Sequence, residues 1–61
     1  MGEIQWWGYR HINGTIQAKR YFDHRDIEDA MESPFVARWC GPFPCKDRDE
    51  AIRKIDEATK D

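Results

Sequence analysis

The dipeptide Asn13-Gly14 lies between two stretches rich in aromatic and β-branched residues, and it restricts the fold of this chain more than any other feature. Asn and Gly tolerate the positive φ angles of a tight hairpin turn, so the flanks are expected to form antiparallel strands, about Glu3 to Ile12 and Thr15 to Phe22. With Asn13 and Gly14 as the two loop residues, Ile12 faces Thr15, Arg10 faces Gln17, Gly8 faces Lys19 and Trp6 faces Tyr21 on one side of the ribbon. The other side then pairs His11 with Ile16, Tyr9 with Ala18, Trp7 with Arg20 and Gln5 with Phe22. A slip of one residue exchanges these faces.

Beyond the hairpin, Asp23 is a candidate N-cap for a short helix with Asp26 at N3, where a carboxylate favours the positive end of the helix dipole. Ile27, Ala30 and Met31 supply its apolar stripe, and Ser33-Pro34 ends it. A third strand is expected from Phe35 to Phe43, with Phe35, Ala37, Trp39 and Phe43 on one side and Val36, Arg38 and Cys40 on the other. Gly41-Pro42 and Pro44 close it, because proline has no N–H for a ladder. Asp47 with Glu50 three residues later marks a second helix start, whose stripe of Ala51, Ile52, Ile55 and Ala58 runs to about Thr59.

The element order is therefore β-β-α-β-α, an α+β domain covering residues 1–61. A right-handed crossover through the first helix sets the third strand beside the first, giving strand order 2-1-3. Both helices are expected on one face, over a core of Trp7, Tyr9, Ile16, Ala18, Phe22, Phe35, Ala37 and Trp39, leaving the second face of the sheet open.

Sixty-one residues exclude two-domain enzymes and any fold that needs a large interior. The apolar set contains no Leu, so three Trp, two Tyr and three Phe must do much of the burying. Those aromatics, with a net charge of only −2, argue against a disordered chain. No run approaches the length of a membrane span, and the start MGEIQWWGYR lacks the basic and apolar regions of a signal peptide. Trp6 also stands where an N-myristoylation start needs Ser or Thr. The expectation is a cytoplasmic protein with no membrane association.

The open sheet face would present Trp6, Arg10, Gln17, Lys19, Tyr21 and Arg38, mixing aromatic rings with three cations. Such a surface can meet a protein, pair with a second copy as a homodimer, or stack the bases of a single-stranded nucleic acid or nucleotide. Charge is unevenly spread: residues 1–25 carry a net +2, and residues 26–33 a net −4 from Asp26, Glu28, Asp29 and Glu32. That acidic helix either faces solvent or meets a basic groove on a partner in place of phosphates. The near-neutral total is unlike the strongly basic domains that bind duplexes.

Cys40, Cys45, His11 and His24 make the inventory of a structural zinc site, yet the hairpin holds the two histidines ~30 Å apart at ~3.3 Å per residue. No metal or other cofactor is expected, and two reduced thiols are the simplest state for the cysteines. Catalysis finds no support. The single Ser precedes a proline, no glycine-rich phosphate loop is present, and the acids follow helix-face patterns.

The run Gly8-Tyr9-Arg10-His11-Ile12-Asn13-Gly14-Thr15-Ile16-Gln17-Ala18-Lys19-Arg20-Tyr21-Phe22, then Glu32-Ser33-Pro34-Phe35-Val36, Gly41-Pro42-Phe43 and Glu50-Ala51, resembles small proteins encoded by bacteriophages and prophages. The likeness spans most of the chain and carries no established activity. It implies a viral setting, in which short acidic proteins often inhibit host complexes, anti-CRISPR proteins among them. The strand-to-helix junction is similar to the end of SPOR-type repeats, and the hairpin to the three-stranded arm-binding domains of phage integrases. Each of those covers less than half the chain and amounts to shared local geometry. The expected function is a non-enzymatic inhibitor that occludes a host protein complex, with single-stranded nucleic-acid or nucleotide binding by the sheet face as the alternative.

Overall fold

The computed structural model describes residues 4–60 and contains β1 (Gln5–His11), β2 (Ile16–Arg20), α1 (His24–Glu32), β3 (Val36–Pro44) and α2 (Arg48–Ala58). The element order and the sheet order β2-β1-β3 are those expected, with β1 antiparallel to both neighbours. The expected beginning of the first strand at Glu3 lies outside the described residues. Both helices start as their sequences specify. The Asp23 carboxylate accepts from the Arg25 N–H at 3.0 Å, and the Asp47 carboxylate accepts from the Glu50 N–H at 2.8 Å.

The hairpin register differs from expectation by one residue. Trp6 pairs with Arg20, Gly8 with Ala18 and Arg10 with Ile16, so the loop holds Ile12, Asn13 and Gly14 instead of two residues. The His11 N–H donates to the Thr15 carbonyl at 2.8 Å, and the Gly14 N–H returns to the His11 carbonyl at 2.8 Å. Gly14, at φ +94, takes the left-handed position such a loop requires, and the Asn13 side chain accepts from the Thr15 N–H at 2.9 Å.

That shift redistributes the apolar residues. Ile16 and Ala18 join Trp6 and Gly8 on one face, while Trp7 and Tyr9 share the other with Gln17 and Lys19. Two irregularities in the β1–β3 ladder, one between Arg10 and His11 and one between Trp6 and Gly8, likewise re-sort β3. Val36 packs with the Trp7 side and Cys40 and Phe43 with the Trp6 side, contrary to simple alternation. The second irregularity contains the cis Gly41-Pro42 bond, and β3 continues through it to Pro44.

With large apolar residues on both faces, the sheet needs a cover on each, and the expectation of two helices on one face is corrected. α2 packs Ala51, Ile52 and Ile55 against Trp6, Ile16, Ala18, Cys40, Phe43 and Cys45. α1 packs Ile27 and Ala30 against Trp7, Tyr9, Tyr21 and Val36. Ile27 and Ile55 are fully buried, each contributing about 1.5–3 kcal/mol of hydrophobic free energy. Phe22 and Phe35, expected in the core, are 81% and 58% exposed. The helices are also offset in opposite directions, α2 lying against β1 and β2 and α1 against β3 and β1. The α1 side of the sheet is therefore bare over β2.

Candidate functional site

The residues expected on one open face are divided between two. Trp6 is buried beneath α2, with the Arg20 guanidinium 5.9 Å from its ring centre. Arg10 points to the same side and serves the end of α2. Its Nε donates to the Thr59 carbonyl at 3.2 Å and to Thr59 Oγ1 at 3.3 Å, and Nη2 donates to the Asp56 carbonyl at 3.2 Å and pairs with the Asp56 carboxylate. No basic residue stands in the last turn of α2, so Arg10 provides from β1 the positive charge that its carbonyl end favours. Arg38, opposite Arg10 across the ladder, is exposed.

Arg10 is thereby a structural residue, and Arg10→Gln is expected to lower stability by about 1–2 kcal/mol, a charged hydrogen-bond set discounted for partial exposure. A urea titration checks this; an unchanged midpoint would mean that the contact contributes nothing.

Gln17, Lys19 and Tyr21 lie on the α1 side. There the bare strip beside α1 forms a groove of about 450 Å³. Trp7, Tyr9 and Val36 line its sheet side, Lys19, Arg20 and Phe22 the β2 side, and Asp26, Asp29, Ala30 and Ser33 the helix side. Lys19 Nζ stands 6.0 Å from the Trp7 ring centre and 5.9 Å from that of Tyr9, a cation held over two π faces. Trp7 is buried, whereas Tyr9 is half-buried and Phe22 projects at the rim. Tyr21 marks the start of α1, its hydroxyl 3.5 Å from His24 Nδ1.

Of the acidic helix residues, Asp26 and Asp29 enter this groove, while Glu28 and Glu32 are exposed elsewhere on α1. Among the described residues, no Lys, Arg or His lies within ion-pair distance of Asp26 or Asp29. The site therefore joins Lys19, one of the six residues expected on the sheet face, and Asp26 and Asp29, two of the four expected on the acidic helix, to half-buried Tyr9 and to Phe22, which was expected in the core. Their only signal in the sequence is aromatic character.

The cysteines do not make a reactive centre. Cys40 and Cys45 are thiols, Cys45 is fully buried, and burial first and the neighbouring Cys45 second push the Cys40 thiol above its ordinary pKa. Cys40 is thus kept protonated, opposite to what a nucleophile needs. His11 is engaged in the hairpin, stacked on Phe35 at 6.0 Å, with Nδ1 accepting from the Asn13 N–H at 3.1 Å. Among the described residues, no group of three or more His, Cys, Asp and Glu side chains could hold a metal ion, and no helix is long and apolar enough to cross a membrane.

Comparison with protein-family models, curated proteins and solved structures finds no match for this chain.

Proposed function

We propose that this chain is a non-catalytic, phage-encoded binding protein that occludes a host protein complex of the anti-defence type, anti-CRISPR inhibition included, in the host cytoplasm. The observation that carries the binding reading is the groove between α1 and β2, where two carboxylates without ion-pair partners among the described residues face an aromatic floor and an 81% exposed phenylalanine. Exposed aromatic rings beside charged groups are what protein interfaces use as anchors. The viral setting rests on the resemblance of residues 8–22 and their downstream motifs to phage proteins.

Single-stranded nucleic acid is the weaker reading. It needs Trp6 and Arg10 at the surface beside Lys19 and Tyr21, but Trp6 is covered and Arg10 is committed to α2. The remaining groove places Asp26 and Asp29 where phosphates would run, and they repel them.

Affinity capture from a bacterial lysate tests the proposal, with the Asp26→Lys/Asp29→Lys double variant beside the parent chain. The parent is expected to retain one host complex stoichiometrically, and charge reversal to reduce that retention at least tenfold while leaving the far-ultraviolet circular dichroism unchanged. Recovery of no specific protein, or equal recovery by both chains, would overturn it.

A further inference from the structure

Resting on that reading, we propose that the partner presents an extended basic segment, which adds to β2 as a fourth strand and leans its cationic side chains into the groove beside α1. The ladder shows which backbone groups are available. The Tyr21 N–H donates to the Gln5 carbonyl at 2.9 Å and the His11 N–H to the Thr15 carbonyl, so alternate β2 residues turn their main chain towards β1. By the same alternation, the N–H and C=O groups of Ile16, Ala18 and Arg20 point out from the sheet edge. The opposite edge, β3, is a poorer template because two ladder irregularities and Pro42 and Pro44 interrupt it.

A strand added to β2 sends every second side chain to the α1 side, where Asp26 and Asp29 line one wall of the groove and Lys19 and Arg20 the other. The Arg20 guanidinium is drawn towards the Trp6 ring, 5.9 Å from its centre, and Lys19 Nζ is held over Trp7 and Tyr9. Asp26 and Asp29 thus face the incoming strand without a cation at ion-pair distance among the described residues, and Glu28 and Glu32 deepen the negative field of the same helix. Lys or Arg on the groove side satisfies those carboxylates, and an arginine plane can also stack on Tyr9 or Phe22. On the opposite side of the added strand, Arg20 disfavours a second row of cations. The recognised pattern is therefore alternation, basic at one residue and uncharged at the next. This is edge-strand recognition, with main-chain bonds supplying affinity and alternate side chains supplying specificity.

The experiment is selection from a displayed library of random decapeptides against the intact chain, followed by fluorescence anisotropy on the enriched peptides. Lys or Arg at alternating positions is expected in the selected sequences. Asp26→Asn/Asp29→Asn should weaken their binding at least fivefold. Arg20→Pro, which removes an outward N–H and spares the bonds to β1, should do the same. Should that variant lose its fold, alternate N-methylation of the peptide backbone probes the same bonds with the protein untouched, and a loss of at least fivefold is again expected. Selected peptides without alternating basic residues, binding that survives N-methylation, or no selected peptide at all would overturn the proposal. So would a dimer in light scattering that Arg20→Pro dissolves, since a second copy would then occupy the edge. A host complex lost on charge reversal but indifferent to competition by the basic peptide would sink this inference and leave the occlusion reading standing.

Discussion

Gly8→Ala is expected to destabilise the protein by about 1–3 kcal/mol or more, although the same exchange in an unencumbered strand would gain about 0.5–1 kcal/mol. A Cβ built on Gly8 falls 2.2 Å from the Gln17 carbonyl oxygen and 2.2 Å from Ile55 Cδ1. The first collision is with backbone, which no rotamer change relieves, and the second is with the fully buried residue through which α2 grips the sheet. Relief requires β1 and β2 to separate or α2 to lift, and overpacking of this kind costs about 1–3 kcal/mol or more. A chain of 61 residues has only about 3–9 kcal/mol to lose. Urea denaturation followed by tryptophan fluorescence is the measurement, since Trp6 and Trp7 flank the site. A midpoint equal to that of the parent would mean that α2 does not lie against Gly8. Adding Ile55→Val should recover little, because the Gln17 contact remains.

The same packing explains which parts of the structure were legible in the sequence. The hairpin, both N-caps and the strand order follow from short-range signals: Asn13-Gly14, Asp23, Asp47 with Glu50, and the apolar stripes of the helices. The faces did not follow, because they hinge on whether Ile12 belongs to the strand or to the loop, and a single residue there reverses every pairing of β2. Hydrophobic patterning could not arbitrate, since Trp6 and Trp7 are adjacent and each face has its own indole. Local irregularities opposite Trp7 and after Arg10 then broke the alternation of β3. The candidate site inherited this. Asp26 and Asp29 are legible because four acids in eight residues need no register, and Tyr9 lies beside Trp7 on a helix-covered side as expected, whereas Phe22, expected in the core, projects at the rim.

Because the sheet separates two small cores, Ile27→Ala and Ile55→Ala are expected to act independently. Each removes a fully buried side chain and should cost about 2–5 kcal/mol. Ile27 belongs with Trp7 and Ala30, and Ile55 with Trp6, Ala18, Cys45 and Ala51; the two groups share no member. α1 and α2 make no contact with one another. The Ala double variant should not fold, so additivity is read from Ile27→Val and Ile55→Val, whose costs should add within about 0.5 kcal/mol in urea titrations. If both helices lay on one face, their stripes would touch and the second substitution would cost less or more than the first alone predicts. The functional consequence is one-sided. Ile27→Ala loosens the helix that carries Asp26 and Asp29 and should raise hydrogen exchange in α1 and weaken partner binding. Milder Ile55→Val, costing about 0.5–1.5 kcal/mol, should leave that binding unchanged at temperatures where the chain remains folded. Equal losses of binding from Ile27→Val and Ile55→Val would place the contact surface outside the α1 groove.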